Sequence, residues 1–558
     1  MLNYRRDIGL VTLDDDDTGV RVGTLLQSDK PQRGARNAYA MARFSRKPLD
    51  ISLVSILEEL ESKDSKTRIE NIVHNYGHSS VADLAAGQFV FIENISVLDT
   101  LRFHYHNYFY ASQESSTRYI TINTDRLDQV RDSIKIPKAL SIDKNKEPEK
   151  DYINICTDYF KNYNGFIDRF KEVLAEYYEV EHSSKTLHSR ALDCARYFLP
   201  LATKVGLGVT MSARKWSGEL KRLLRSPYKD DNSIYKLLNQ LLVQGDEYVK
   251  EYIPEADSLL RHIDGSSNIF DLVNLSNNIL DGYVDVIELY PSNIKPILDN
   301  NKVHIGSIKL INKLKALNNP YSYIDEELNL ESQHIKSLAS FINSNFNRYE
   351  ELPRSLFSSS DITVSGYTDI GSFKDLNRHR SAFRFCPVLE NYSLLYYDLL
   401  HNYDLKSFIT IPPYINHILE DESVSKELRN KVNILKEDYL NSMGFIIAKA
   451  LNLFYRLIAD TDIDLQECSY IISHLLPHGF IIPYTFSLDL SSLTYIADLR
   501  TRAGAHISYS LLVRDWVEAL SKDNNSIKDE MSYQILLSIK DSLNKEDPFS
   551  REMFVGRS

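Results

Sequence analysis

The stretch GQFVFIENISVLDTLRFHYHNYF, residues 87–109, decides the fold because its pattern changes part-way along. GQFVFIEN has the aromatic and β-branched composition of a strand, whereas VLDTLRFHYHNYF has helical periodicity. The same order recurs in SDITVSGYTDIGSFKDLNRHR, residues 360–380, where a strand pattern leads into a helical segment that ends in Arg-His-Arg. A long helix is predicted later in the second half, within residues 431–460. The repeated order predicts two α+β units.

Landmarks at a nearly constant separation support a duplication. The paired residues are Tyr108 with Arg380, Pro200 with Pro477, and Arg225 with Arg500, at separations of 272, 277 and 275 residues. Separations this similar indicate an ancient repeat of a unit near half the chain length. We therefore predict an N-terminal unit over residues 1–255 and a C-terminal unit over residues 336–558. The Asn-rich interval 256–335 is interpreted as a connector plus the variable start of the second unit.

Composition narrows the class of protein. The chain has 558 residues and a net charge of −12, which argues against a protein that binds nucleic acid through a basic face. Its four cysteines are scattered, as expected in a reducing compartment. No secretory signal pattern follows the start MLNYRRDIGL, and the longest apolar stretch, residues 443–451, is too short to span a bilayer. We expect a soluble, cytoplasmic protein without a membrane partner.

Three segments carry candidate chemistry. HNYFYASQESSTRY, residues 106–119, offers hydroxyls, backbone N–H groups and one arginine, which suit a phosphate or a pyrimidine edge. The triplet at residues 378–380 offers two guanidinium groups around an imidazole, and DLRTRAGAHISYS, residues 498–510, offers two arginines and a histidine. Each has a plainer local interpretation: a Ser/Thr-rich turn, a solvated basic turn, and cations at a helix C-terminus.

Other patterns do not support a site. HLLPH, residues 474–478, has the histidine spacing of a zinc-protease helix but lacks its glutamate and contains a proline, so no metal is expected. VGLGVTM, residues 205–211, lacks the third glycine of a dinucleotide fingerprint. Cys386 in FRFCP has no histidine fixed beside it by the sequence, which favours a buried structural thiol.

Together, the three segments resemble the flavin-dependent thymidylate synthases, whose motif is Arg-His-Arg, seven residues, a serine, and an Arg-Tyr pair. ESSTRY, residues 114–119, is similar to the nucleotide loop of that family, but the triplet before it, at residues 106–108, is degenerate. The triplet at residues 378–380 is intact, but Val388 stands where the serine is expected. The intact parts of the motif are therefore divided between the two halves.

The resemblance implies particular ligands and contacts. FAD is the implied cofactor, NADPH and methylenetetrahydrofolate are co-substrates, and dUMP or a related pyrimidine nucleotide is the substrate. The implied FAD contacts are His78, Ser80 and Asp83 in GHSSVAD, then Arg378, His379, Arg380, Asp498, Arg500 and His506. The implied nucleotide contacts are Glu114, Ser115, Ser116, Arg118 and Arg378. Among these, Arg378 and Ser116 are the expected catalytic residues.

The resemblance also implies an architecture. The fold would be α+β, with two degenerate copies of the family's small antiparallel sheet and helices in one chain. Because the family's active site forms between subunits of a homotetramer, a duplicated chain is expected to form a homodimer that acts as a pseudo-tetramer. One composite site would pair the second-half triplet with the first-half loop, and its complement would be free to decay. Whether the composite site lies within one chain or across two stays open.

The chain departs from the family at two arginines. Ser510 and Gly206 occupy positions where the family has arginines near the nucleotide, and Pro483 matches Gly206 in the second half. These departures keep two alternatives open. One is a flavin-dependent methyltransferase that acts on another pyrimidine nucleotide, and the other is a non-catalytic protein that binds flavin or nucleotide.

Overall fold

The computed structural model describes three long segments, residues 88–242, 362–392 and 404–522, with short interruptions. It also describes parts of residues 3–25, 40–57 and 537–550, and the pair 304–305. Most of the predicted connector lies outside the described residues.

The described part of the first half is an antiparallel sheet with helices around it. Its strands are β1 Asn3–Arg5, β2 Leu10–Asp14, β3 Arg21–Leu25, β4 Gln88–Ser96, β5 Ala111–Glu114 and β6 Lys204–Met211. Its helices are α1 Val97–His106, α2 Leu127–Ser133, α3 Lys138–Ile142, α4 Glu147–Tyr178, α5 Lys185–Ala195, α6 Ala213–Arg225 and α7 Lys229–Leu242, with a 3₁₀ turn at Arg196–Phe198. The strand order is β1-β2-β3-β4-β6-β5. The strand and helix predicted in residues 87–109 are confirmed.

The described part of the second half follows the same plan. Its strands are β7 His304–Ile305, β8 Ile362–Asp369, β9 Phe383–Phe385 and β10 Ile481–Leu488. Its helices are α8 Ile370–Leu376, α9 Pro387–Glu390, α10 Pro413–Glu420, α11 Lys426–Asp460, α12 Leu465–Ser473, α13 Leu490–Thr501 and α14 Ile507–Lys522, with a 3₁₀ turn at Leu405–Phe408. The order β7-β8-β10-β9 has the pattern of β3-β4-β6-β5 in the first sheet. Strand β7 also shows that part of the interval 256–335 joins the second sheet.

Helix caps fix the register between the two halves. Helix α1 begins after Ser96, whose hydroxyl accepts the N–H of Asp99 while the Asp99 carboxylate accepts the N–H of Ser96. Helix α8 begins after Asp369, whose carboxylate accepts the N–H of Ser372 at 2.7 Å. The two caps are 369 − 96 = 273 residues apart. Strands β5 and β9 are matched at a separation of 272 residues. Ala111 of β5 pairs with β6 at the place where Phe383 of β9 pairs with β10.

The halves meet around Pro200 and Pro477, which form an antiparallel bridge. Leu201 donates its N–H to the carbonyl of Leu476 at 2.9 Å. The equivalent bond in the opposite direction joins the residues 277 positions away in the other half. The N–H of His478 donates to the carbonyl of Leu199, also at 2.9 Å. This exchange of equivalent bonds is typical of a two-fold axis between related units. The two prolines paired from the sequence therefore lie at the contact between the halves.

The two longest helices, α4 and α11, pack against each other, and a single apolar cluster contains residues of both halves. The edge of Tyr439 of α11 packs against Phe166 and Phe198, with ring centroids 5.9 and 5.1 Å away. Among the described helices, α11 is long and apolar enough by composition to cross a membrane. This helix packs against α4 on one side, where Lys449 and Asp158 form an ion pair at 2.6 Å, while 44% of its apolar window is buried.

Candidate active site between the two halves

The side chain of Glu114 connects the two halves. It lies at the end of β5 and is only 4% exposed. From the second half, Lys374 places its Nζ 2.7 Å from Oε1, and Arg378 places an Nη2 3.3 Å from Oε2. From the first half, Thr100 donates its hydroxyl to Oε1 at 3.1 Å, and Nε2 of His104 lies 3.4 Å from Oε2. A first-half carboxylate is thus enclosed by second-half cations within one chain.

Burial and these cations have opposite effects on the protonation of Glu114. Burial alone would raise the pKa of Glu114, but Lys374 and Arg378 outweigh it and hold that pKa well below its usual range. Burial lowers the pKa of His104 to about 4, so its ring is neutral near pH 7. A neutral ring fits the contacts, since Nδ1 faces the hydroxyl of Tyr110 and Nε2 faces the carboxylate. The cluster therefore holds a buried, ionised carboxylate.

The triplet is neither helical nor a solvated turn. Helix α8 ends at Leu376, and the three residues that follow Asn377 point to different partners. Arg378 reaches Glu114, whereas the Nε2 of His379 accepts a hydrogen bond from Nε of Arg500 at 2.7 Å. Arg380 donates to the backbone carbonyls of Tyr110 and Ser112 in β5 and the loop before it. The triplet therefore binds the first half at two places and helix α13 at a third.

The sequence analysis missed Lys374 and Arg384. Lys374 precedes Arg378 by four residues, a spacing that places two side chains on one helix face and could have indicated it. Arg384 is 1% exposed, and one of its nitrogens donates to the first-half carbonyls of His104 and Asn107. Its guanidinium also lies 4.5 Å from the ring centre of Tyr108. No sequence signal separates this arginine from an exposed strand residue, because its partners are backbone atoms.

Positive charge predominates in this region. In the described part of the chain, six cationic side chains accompany four carboxylates. The cations are Arg196, Lys374, Arg378, Arg380, Arg384 and Arg500, and the carboxylates are Glu114, Asp375 and, beside Arg196, Asp193 and Asp369. The side chain of Arg378 is 33% exposed, and its Nε has no hydrogen-bond partner among the described residues. This charge excess with a donor available fits the phosphate groups of a dinucleotide cofactor or a nucleotide.

The first-half loop is only partly described. Ser115 exchanges two hydrogen bonds with Gly206: its N–H donates to the carbonyl at 2.9 Å, and its hydroxyl accepts the N–H at 3.1 Å. Ser116 follows it and is partly exposed. The predicted contacts Arg118, His78, Ser80 and Asp83 lie outside the described residues. The structure therefore positions Glu114, Ser115 and Ser116 beside one another at the end of β5.

An arginine at Gly206, as the resemblance implies for this position, would require the ring of Phe44 to move. A Cβ atom at this position would lie 2.4 Å from the ring of Phe44. Phe44 is fully buried, and Met41 takes the equivalent place over Gly208. The absence of the arginine is therefore matched by apolar packing over the same strand.

Two predicted FAD contacts have other partners. The carboxylate of Asp498 forms an ion pair with Arg502 on the surface of α13. His506 is fully buried, and its Nε2 lies 3.1 Å from the carbonyl oxygen of Asp193 while its Nδ1 accepts the N–H of Ser508. Of the second-half residues expected around FAD, the structure thus groups Arg378, His379, Arg380 and Arg500, but not these two.

A second contact between the halves lies at positions matched to the first. At the helix-cap separation of 273, Arg378 corresponds to Tyr105 and not to His106, which the triplet pairing at 272 gives, and at the strand separation of 272, Glu114 corresponds to Cys386. At this mate position, the N–H of Cys386 donates to the hydroxyl of Tyr105 at 3.1 Å. Burial raises the pKa of the Cys386 thiol to about 12, in agreement with the structural role expected for it. One contact is thus charged, and its mate is neutral.

Comparison with known proteins supports the interpretation of the first half. Residues 24–244 match the family described as thymidylate synthase complementing protein. The predicted resemblance to flavin-dependent thymidylate synthases is therefore confirmed. UPF0159 protein Ta1429 of Thermoplasma acidophilum is 23% identical over 513 residues, which cover 84% of this chain and 88% of that relative. No solved structure matches the chain. Similarity to the relative thus extends through both halves, beyond the thymidylate synthase complementing region.

Proposed function

We propose that the chain is a tandem flavin-dependent thymidylate synthase that methylates C5 of dUMP, with methylenetetrahydrofolate as the one-carbon donor. The family match over residues 24–244 supports a thymidylate synthase-type enzyme. The observation that carries the finer proposal is the contact of Arg378 with Glu114, 3.3 Å apart and from opposite halves of one chain. It supports a single composite site that would contain the two separated parts of the motif.

The tandem arrangement is part of this proposal. Equal strand orders in β3-β4-β6-β5 and β7-β8-β10-β9 and the reciprocal bonds around Pro200 and Pro477 support two degenerate copies of one unit. The neutral contact between Tyr105 and Cys386 is the expected result of decay at the complementary site. A homodimer of such chains would have four related units, and light scattering of the purified protein would measure that assembly.

The residues have distinct proposed roles. Arg378, with its partly exposed guanidinium, would pair with a phosphate or the pyrimidine edge, and His379 and Arg380 would hold the turn that presents it. Glu114, kept ionised by Lys374, would accept hydrogen bonds from the nucleotide, while Ser116 and Arg118 would complete its contacts. The cationic group around Arg378 and Arg500 would hold FAD, which, reduced by NADPH, supplies the hydride chemistry when bound.

A non-catalytic flavin- or nucleotide-binding protein is the second candidate. The packing of Phe44 over Gly206 favours it, because this packing fills the place of a family arginine that contacts the nucleotide. Ser510, at the position of the other arginine, is buried. The same two observations support a flavin-dependent methyltransferase for another pyrimidine nucleotide.

The absorption spectrum of the purified protein and growth of a thymidine-requiring bacterium together test the proposal. The proposed enzyme gives a yellow protein whose flavin spectrum changes when dUMP is added, and its expression removes the thymidine requirement. The Arg378→Ala variant should abolish growth, whereas Arg169→Ala, which removes an exposed arginine of α4, should not. A yellow protein that fails to rescue growth would favour the second candidate. A colourless protein that does not take up added FAD would contradict both.

A further inference from the structure

The second half contains a cavity of about 590 Å³ that lies between the end of β8, the start of α14 and α10. Its ionisable lining residues are Asp369, His417, Glu420 and Asp515, and no lysine or arginine of the described residues lines it. None of the residues predicted to contact flavin or nucleotide contributes to this lining. The volume falls in the usual range of small-molecule sites, roughly 300–1,000 Å³.

The equivalent place in the first half is identified by matched backbone bonds. The N–H of Lys135 donates to the carbonyl of Ala202 at 2.8 Å, and the N–H of Thr410 donates to that of Gly479 at 2.9 Å. Each of these residues belongs to a similar segment, IKIP at 134–137 and ITIP at 409–412. Thr410 therefore occupies the second-half position of Lys135.

A second pair of positions matches on the neighbouring helix. Asp230 is the second residue of α7, and Ser508 is the second residue of α14. In the first half, Nζ of Lys135 lies 3.1 Å from Asp230, and both side chains are at most 2% exposed. Asp230 also accepts the N–H of Lys138 at 2.9 Å. The second-half position that matches Lys138 is Pro413, which has no backbone N–H to donate. An ammonium–carboxylate pair thus fills this place in the first half.

The second half replaces that ion pair with two short hydroxyl side chains. Both Thr410 and Ser508 line the cavity, and Asp369 supplies the carboxylate beside them. The bonds that Asp369 accepts come from the hydroxyls of Ser508 and Ser372 and the N–H of Ser372, at 2.7 to 2.8 Å. Burial raises the pKa of Asp369 although these bonds and Arg196 oppose it. The hydrogen bonds that this buried carboxylate accepts thus come from neutral groups of the described residues.

We propose that this cavity binds a small organic cation with a primary ammonium group. The bound ammonium would take the place that Nζ of Lys135 fills in the first half and would pair with Asp369. The aliphatic part of such a ligand would lie against Ile409, Ile411 and Leu512, which also line the cavity. Glu420 and Asp515 at the lining would attract cations and disfavour anions.

Isothermal titration calorimetry of the full-length protein with n-butylammonium tests this proposal. Neutral 1-butanol and anionic butyrate have similar size and serve as ligand controls. We expect butylammonium to bind and the two controls not to bind. The Asp369→Asn variant, which keeps a residue able to cap α8, should weaken butylammonium binding about tenfold or more. Asp438→Asn makes the same change of net charge on the surface of α11 and should leave binding unchanged.

A second variant tests occupation of the cavity. Thr410→Lys combined with Ser508→Asp places the residues of the first-half ion pair in the second half, so it should abolish butylammonium binding. Equal binding of butylammonium and butanol, or no binding of either, would overturn the proposal. Unchanged affinity in Asp369→Asn would also overturn it, and this result does not depend on whether the double variant folds.

Discussion

The contact of Glu114 with Arg378 and its mate, the contact of Cys386 with Tyr105, occupy equivalent places but have opposite chemistry. The first buries a carboxylate against Lys374 and Arg378, and the second joins a thiol residue to a phenol hydroxyl through one backbone N–H. The two halves are therefore not interchangeable. The first half supplies the carboxylate and the second half supplies the cations, as expected if one composite site is retained and the other is lost.

Removing the carboxylate gives the largest expected effect. Glu114→Gln leaves the buried Lys374 without the carboxylate it contacts and removes one of the two carboxylates near Arg378, which should lower the free energy of unfolding by roughly 3–5 kcal/mol. At the mate contact, Tyr105→Phe removes one hydrogen bond and should lower it by about 1 kcal/mol. Urea denaturation of both variants measures the difference. Equal losses would show that the two contacts do not differ energetically.

The ion pair in the first half provides the next comparison. Asp230→Asn breaks a buried pair with Lys135, so a loss of roughly 3 kcal/mol is expected. Ser508→Ala, at the matched second-half position, removes only a hydroxyl that donates to Asp369, and about 1 kcal/mol is expected. Thermal unfolding followed by circular dichroism separates these values. A larger loss in Ser508→Ala would contradict the matching of the two positions.

The pH dependence of stability tests the neutral state of His104. The folded-state pKa is about 4 and lies below the ordinary value of about 6.5, so the unfolded chain binds an extra proton between these values. The free energy of unfolding should therefore fall with decreasing pH, by up to about 1.4 kcal/mol per pH unit from this residue.

The variant His104→Asn introduces the residue found at the matched position, Asn377. Its stability should depend less steeply on pH between 4 and 6.5 than that of the natural protein. Urea unfolding at several pH values measures both slopes, and indistinguishable slopes would mean that His104 is not buried in its neutral form.

The smallest effect is expected on the outer surface of the long helices. Arg169 of α4 and Asp438 of α11 form an ion pair at 2.6 Å, but both side chains are at least 40% exposed. Arg169→Ala should change the free energy of unfolding by less than about 1 kcal/mol. This ion pair also joins the two halves, so a loss as large as that of Glu114→Gln would show that burial does not determine how much such a contact stabilises the protein.

The sequence predicted the order of elements better than the details of the site. The change from strand pattern to helical pattern in residues 87–109 and 360–380 was visible because hydrophobic periodicity is local. The pairing of Pro200 with Pro477 was visible because the repeat preserves separation. By contrast, the triplet was expected to be helical, and the end of α8 at Leu376 depends on contacts with the other half.

The partners of the site residues could not be predicted for a physical reason. Glu114 and Lys374 lie 260 residues apart, and nothing in either local sequence indicates their contact. Arg384 binds backbone carbonyls, which every residue carries. The apolar packing of Phe44 over Gly206 likewise joins distant segments. The sequence showed that the parts of the motif are divided between the halves. The side chains that surround Glu114 could be identified only from the structure.

Complementation between two inactive variants tests the composite site within one chain most directly. Arg378→Ala and Ser116→Ala should each abolish dUMP methylation. Their coexpression, with two purification tags to isolate mixed assemblies, should give no activity above that of either variant, because every chain would still lack one part of its own site. Recovery of activity toward that of the natural protein would show that the triplet of one chain serves the loop of another, and would contradict the account.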